Sequence, residues 1–160
     1  MTQPTSAWQA PEAEAGPSSG TAFAGPGARL IAYILDTIIQ FVIVVVLGIA
    51  SIVLGAIFFP LGIVGALAII VVSIGYFPYF WARDGQTPGM AQMKIKVVRD
   101  ADGGPVTTGQ AILRLIGLWI GLAVFYIGVI WIFIDKRKRG WQDLIGGTVV
   151  IDVEPTTYTS

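Results

Sequence analysis

The chain contains no cysteine and no histidine. Without cysteine it can form no disulfide, thiol nucleophile or thiolate metal site. Without histidine it also lacks the side chain that most often shuttles protons and binds metals in proteins. These two absences remove most catalytic constellations. We therefore expect a protein that is not an enzyme and that needs neither a metal nor another cofactor.

Charge is also scarce, and it is unevenly distributed. Only 12% of the 160 residues are charged, and the ten basic and ten acidic residues cancel, so charge balance favours no nucleic-acid partner. Asp36 is the one charged residue between Leu30 and Ala82. About 18 consecutive apolar residues already suffice to cross a bilayer, and a chain this short cannot bury such a segment inside protein. The sequence therefore predicts a membrane protein.

Three apolar segments follow one another, at about 28–59, 62–82 and 111–134. Pro60 ends the first segment, because proline cannot continue the preceding helix, and the second segment then returns as an antiparallel partner. Five aromatic residues between positions 76 and 81 end the second segment, at the depth where such rings are enriched in membranes. We predict an all-α membrane protein built on a transmembrane helical hairpin.

The remaining parts of the chain are polar. Residues 1–27 are rich in Pro, Ala, Gly, Ser and Thr and are predicted to be a disordered tail. Residues 28–153 form the predicted membrane domain, in which a polar loop at 83–110 follows the hairpin and a basic segment at 135–153 ends the domain. Residues 154–160 are a short C-terminal tail.

Two stretches of the polar regions have the pattern of β-strands. Apolar and basic residues alternate over the five positions from Met93 through Lys96 to Val97. A turn rich in Asp and Gly follows at 100–104. The segment at 147–153 contains several β-branched residues and can pair with the first stretch. We expect the two to form a small β element at the cytoplasmic surface.

The third apolar segment permits two topologies. If it crosses the membrane once, the basic residues near position 96 and those after position 135 lie on opposite sides. This conflicts with the preference of basic loops for the cytoplasm. If it is re-entrant or bends into a helical pair, it returns to its starting face, all the bases share one side and the two β stretches can meet. We favour the second topology, and the N-terminus is cytoplasmic in both.

Asp36 is the most informative single residue. An acid within a membrane helix costs several kcal/mol unless it is paired, so it usually faces protein or a wet cavity. Arg29 lies seven residues earlier on the same helical face, at roughly 10 Å, and Arg114 enters the third segment, so either arginine is a candidate partner. Asp36 then either ties helices together, through an ion pair or helix-end contacts, or takes part in the passage of a substrate or proton. Asp143, close to several bases, suggests a further ion-pair network.

Three blocks in this order resemble the RDD family of membrane proteins. They are Arg29 and Asp36 at the start of the first segment, GQTPGMAQMKIKVVRDADGGPVTTGQAILR after the second, and RGWQDLIGGTVVI near the end. The resemblance covers about residues 28–152. It implies an integral membrane protein of the bacterial cell membrane, with several spans, whose molecular function is largely unassigned but for which transport has been suggested.

The family is named for one arginine and two aspartates, which the resemblance places at Arg29, Asp36 and Asp143. Relatives often carry a histidine just before the final aspartate, whereas this chain has Gln142. A proton step that depends on that histidine therefore cannot be carried over to this chain.

Two functions are compatible with these features. The chain is either a transport or ion-exchange component that acts as an oligomer around Asp36, or a non-catalytic assembly or regulatory subunit of a larger membrane complex. Anionic lipid is the further partner that we expect, since four consecutive bases adjoin an apolar segment and basic residues attract acidic headgroups. These bases are Lys136, Arg137, Lys138 and Arg139.

Overall fold

The computed structural model describes residues 22–124 and 127–153, without the side chain of Val129. The predicted tails at 1–21 and 154–160 lie outside the described residues. Residues 22–27 had been assigned to the N-terminal tail, but in the structure they belong to the folded domain. Phe23 pairs with Ile151 as an antiparallel β-bridge, and Ala24 is fully buried. The small Ala24 side chain can pack into the core while its backbone extends the sheet.

Two long helices form the predicted antiparallel hairpin. Helix α1 spans Pro26–Ile57 and helix α2 spans Phe59–Arg83, and both are long and apolar enough to cross a membrane. Phe58 alone separates the two helices and adopts an extended conformation. Pro60, which follows it by two residues, disfavours one continuous helix through this point. Most of their large apolar side chains are exposed. Such exposed apolar surfaces suit a lipid environment, because lipid tails are as apolar as these side chains.

The two helices approach each other closely near the hairpin turn. A Cβ atom on Gly62 would lie 2.9 Å from the Cα atom of Gly55, so a larger residue at either position would push the backbones apart. The hydroxyl of Ser51 also donates a hydrogen bond of 2.8 Å to the carbonyl oxygen of Gly62. Small residues of this kind permit close packing of membrane helices.

The predicted β element is present. Strand β1 (Ile95–Arg99) pairs antiparallel with strand β2 (Thr148–Asp152), with Val97 opposite Val150. The short helix α3 (Pro88–Gln92) joins the hairpin to β1, and the side chain of Thr87 caps it by accepting a hydrogen bond from the Met90 N–H. The fold is therefore mostly helical with one small two-stranded sheet, as the sequence predicts.

The third apolar segment turns back on itself. Helix α4 (Thr108–Ala123) begins at a capping box formed by Thr107 and Gln110. Its 16 residues extend about 24 Å, which is less than the hydrocarbon thickness of a bilayer. The chain then returns through three short helical elements, which are α5 (Ile127–Ile130), a 3₁₀ helix (Trp131–Phe133) and α6 (Trp141–Gly146).

Two contacts fix the direction of this return. Helix α6 packs directly on α4, since a Cβ atom on Gly117 would lie 2.8 Å from the Cα atom of Gln142. At the polar surface, Arg139 binds Asp100, which lies before α4 in the chain. Residues on both sides of the segment therefore meet on one face. The single-crossing alternative is wrong, because a segment that crossed once would separate β1 from β2.

Candidate functional site

A buried cluster of three charged side chains lies where α1, α4 and α6 meet. Arg29 in the first turn of α1 binds the carboxylate of Asp143 with a distance of 2.6 Å from Nη1 to Oδ2. Arg114 in α4 binds the other carboxylate oxygen. The three side chains are 2%, 1% and 0% exposed, in the order Arg29, Arg114 and Asp143. One carboxylate thus holds two arginines from different helices.

The local sequence of α6 explains why Asp143 points inward. Asp143 is the third residue of this helix, and its Oδ2 atom accepts a hydrogen bond of 3.0 Å from the N–H of Gly140, the residue before the helix. An acid at this position satisfies a backbone donor that the helix leaves free. The carboxylate is therefore held by a backbone N–H at the start of its own helix as well as by the two arginines.

The two arginines extend the cluster to the sheet. Arg114 donates a hydrogen bond of 2.8 Å to the hydroxyl of Thr148 at the start of β2. Arg29 donates to the carbonyl oxygen of Ala24 at 3.2 Å and to that of Val150 at 3.5 Å. The guanidinium of Arg114 also lies 4.8 Å from the ring centroid of Trp81 near the end of α2, a cation–π contact. The cluster thus connects both long helices, the re-entrant segment and the sheet.

The electrostatics of Asp143 follow from burial and these two charges. Burial by itself raises the pKa of Asp143, but the positive charges of Arg114 and Arg29 and the Gly140 N–H outweigh it and hold the pKa below its ordinary value of 3.8. A carboxyl group with a lowered folded-state pKa stabilises the fold above the unfolded-state pKa. That contribution is lost as the pH falls from that value through the folded-state pKa. At neutral pH the carboxylate is charged and the ion pairs are complete.

Asp36 lies in a separate site and binds no arginine there. Its carboxylate accepts hydrogen bonds from the hydroxyl of Tyr76 at 3.1 Å, from the N–H of Gly89 at 2.8 Å and from the hydroxyl of Thr87. All three donors are uncharged, and the side chain of Asp36 is almost fully buried. The site joins α1 to α2 and to the segment that leads into α3.

The expectation that Arg29 or Arg114 pairs with Asp36 is therefore wrong. Arg29 shares a helix face with Asp36, but its guanidinium turns towards β2 and Asp143, about two helical turns away from Asp36. The contacts from Tyr76 and Thr87 were not predicted. The glycines and proline around Thr87 predict a turn, and a threonine followed by proline is also a typical start of a helix.

Glycine is required at position 89 by the close approach of α3 to α1. A Cβ atom there would lie 2.9 Å from the Asp36 carboxylate and would also collide with the carbonyl oxygen of Ala32. The short segment from Thr87 to Gly89 is thus shaped to bring one hydroxyl and one N–H onto the acid.

The comparison with known families agrees with this architecture. A model described as the RDD family matches residues 23–147. The chain belongs to the RDD family. No curated protein and no solved structure matches the chain. The membership of this RDD protein therefore supports its membrane-type fold and assigns it no specific activity.

The basic loop of this RDD protein is partly neutralised by its own acids. Arg137 binds Asp100 at 2.6 Å, and Arg139 binds Asp100 at 3.0 Å and Asp135 at 3.1 Å. Hydrogen bonds from the N–H groups of Arg137 and Arg139 to Asp135 fix the loop. Of the four bases expected to bind lipid, two are therefore engaged within the protein. Lys136 and Lys138 form no ion pair with the residues that the structure describes.

No group of three acidic residues that could hold a metal ion occurs within 22–124 and 127–153. The charged residues expected to carry function are instead divided between two places. Arg29, Arg114 and Asp143 form one cluster joined by ion pairs, and Asp36 forms another with neutral donors. The two acids therefore differ in chemistry although both are buried.

We expect Asp143→Asn to lower the free energy of unfolding by about 3–5 kcal/mol, because it leaves two buried arginines without a counter-charge. Denaturant titration of the purified protein in detergent, followed by circular dichroism, measures the change. The matched control is Asp102→Asn, which breaks an ion pair whose acid is 55% exposed and is expected to cost less than about 1 kcal/mol. Equal losses for the two variants would contradict the assignment.

Proposed function

We propose that this RDD protein is a transport or ion-exchange component of the membrane, in which Asp36 is the exchanging group. The observation that carries the proposal is the contrast between the two buried acids. Asp143 is neutralised by two arginines, whereas the partners of Asp36 in the described part of the chain are the neutral donors of Tyr76, Thr87 and Gly89. A buried carboxylate with no cationic side chain beside it favours a proton or a bound cation as its counter-charge.

The charge of the site indicates the class of ion. One carboxylate carries a single negative charge, and the groups that surround Asp36 add two hydroxyl oxygens, from Tyr76 and Thr87. A proton or a monovalent cation balances this charge. A divalent cation usually requires more carboxylates than this site provides.

A shallow groove on the hairpin contains three polar side chains among apolar ones. Thr37 and Gln40 on α1 and Ser73 on α2 line a groove of about 240 Å³, and Gln40 donates a hydrogen bond of 2.9 Å to the Ser73 carbonyl oxygen. Gln40 lies one helical turn beyond Asp36 on the same face. We propose this polar pair as the beginning of the ion path beyond Asp36.

Within residues 22–124 and 127–153, one copy has two helices long enough to cross a membrane, and the groove is open on its outer side. Two helices cannot enclose an aqueous path in lipid, in which exposed polar groups are costly. We therefore propose that further copies cover the groove and that the active unit is a homo-oligomer.

We expect reconstituted protein to exchange protons for a monovalent cation, and Asp36→Asn to abolish the exchange, because the amide carries no charge and binds neither ion tightly. The measurement uses proteoliposomes loaded with a pH-sensitive dye, a pH gradient and added Na⁺, K⁺ or Li⁺. The matched control is Asp84→Asn, which removes an exposed carboxylate at the end of α2 and should leave the flux unchanged.

Absence of flux from both the unmodified protein and Asp36→Asn, with both folded, would contradict this proposal. It would favour the second candidate, a non-catalytic assembly or regulatory subunit. The observation that supports this candidate is that Asp36 links α1, α2 and the Thr87–Gly89 segment, as a purely structural acid would. Purification from native membranes in mild detergent then distinguishes the two candidate functions. Recovery of one large complex in fixed stoichiometry supports a subunit role.

The distribution of basic residues supports an orientation. All ten lysines and arginines lie at the end of the hairpin that carries the sheet, and the turn around Phe58 has none. Because basic residues are retained on the cytoplasmic side, we propose a bacterial plasma-membrane protein with several spans, whose N-terminus and β element face the cytoplasm.

Single cysteines test this orientation directly, since the chain has no cysteine of its own. We expect Leu61→Cys, in the first turn of α2, to react with a membrane-impermeant maleimide in intact spheroplasts, and Asp102→Cys to react only after lysis. Labelling of Asp102→Cys, but not of Leu61→Cys, in intact spheroplasts would reverse the orientation.

A further inference from the structure

An apolar groove separates the start of α1 from the 3₁₀ helix. Pro26, Leu30 and Tyr33 form one wall, and Ile132 and Phe133 form the other, with the stem of Arg29 between them. The space measures about 120 Å³. It accepts a short length of hydrocarbon chain, and an apolar space of this kind does not hold water well.

The groove opens towards the surface that faces lipid. Leu30 and Phe133 at its rim are 61% and 67% exposed. Ile130 and Ile134, on either side of the 3₁₀ helix, are also exposed. The rim therefore continues the apolar surface of the hairpin, and a hydrocarbon chain can enter from the bilayer without crossing polar groups.

The basic loop follows one wall of the groove in the chain and contacts the residues before the other. Lys136 follows Phe133 by three residues, so their Cα atoms are at most about 11 Å apart. On the other wall, Arg137 lies 5.5 Å from the ring centroid of Phe23, three residues before Pro26. The loop therefore adjoins both walls of the groove at the polar end.

Two lysines of the basic loop, Lys136 and Lys138, can bind an anion at this end of the groove. Asp100 and Asp135 engage Arg137 and Arg139, but neither acid binds Lys136 or Lys138 within the described chain. Lys138 adopts a left-handed conformation with φ of 56°, and its N–H donates a hydrogen bond of 3.0 Å to the Asp135 carbonyl oxygen. The loop is therefore held in a defined shape by Asp135, with its two lysines available to an external anion.

We infer that this groove and loop bind one anionic phospholipid. One acyl chain occupies the groove between α1 and the 3₁₀ helix, and the phosphate lies at Lys136 and Lys138. Apolar contact selects a lipid over a free anion, and the two lysines select an acidic headgroup over a zwitterionic one. Of the four bases expected to bind lipid, two then bind the phosphate, and the groove provides a further site for an acyl chain. It is independent of ion exchange at Asp36.

Native mass spectrometry of the full chain in detergent tests the inference by titration with phosphatidylglycerol and phosphatidylcholine. Each base near an acidic headgroup strengthens binding roughly fivefold. We therefore expect the first phosphatidylglycerol to bind at least about tenfold more tightly than phosphatidylcholine. Lys136→Gln combined with Lys138→Gln should remove this preference. Leu30→Trp, which fills the groove, should weaken the first binding step for both lipids.

Two controls separate this site from general attraction to a charged surface. Ile31→Trp adds the same bulk at the neighbouring position of α1, which does not line the groove. Arg83→Gln removes an exposed charge at the end of α2. Both should leave the first binding step within about twofold of the unmodified protein. Equal binding of the two lipids would overturn the headgroup assignment. An unchanged first step in Leu30→Trp, or an equal loss in Ile31→Trp, would overturn the groove assignment.

Discussion

The described structure depends on one desolvated carboxylate with two arginines. Asp143 is fully buried, so its charge must be matched by protein groups rather than by water. Arg29 and Arg114 provide that match at different carboxylate oxygens, and each also donates a hydrogen bond to β2, Arg29 to Val150 and Arg114 to Thr148. A buried ion pair adds little net stability relative to apolar packing, but it strongly disfavours arrangements in which a partner is missing. We infer that the cluster specifies how the elements meet.

This requirement explains the shape of the third apolar segment. For Asp143 to reach Arg114, α6 must return along α4, and the close contact at Gly117 permits that approach. The return brings β2 beside β1 and completes the sheet at the polar end. The re-entrant form, the sheet and the position of the basic loop are thus consequences of one interaction. Asp36, by contrast, joins the long helices through the neutral donors of Tyr76 and Gly89.

Hydropathy was sufficient to predict the hairpin, because each long helix buries little and is apolar along most of its length. Alternation and a following turn likewise predicted β1, and β-branched residues predicted β2, since these signals are local. The pairing of the charged groups was not predictable in this way. Arg29 and Asp143 are separated by 114 residues, and Thr87 and Asp36 by 51. Sequence position made Arg29 one of two candidate partners of Asp36, but its side chain is directed towards β2 and α6.

A double-mutant cycle on Asp143 and Arg114 tests the central role of the cluster most directly. The free energy of unfolding is measured for Asp143→Asn, for Arg114→Gln and for the double variant, with Arg99→Gln and Asp102→Asn as an exposed reference pair. If the carboxylate exists to neutralise buried arginines, the second substitution adds little to the first, and the coupling exceeds about 1.5 kcal/mol. Costs that add to within about 0.5 kcal/mol, as at independent sites, would contradict the account.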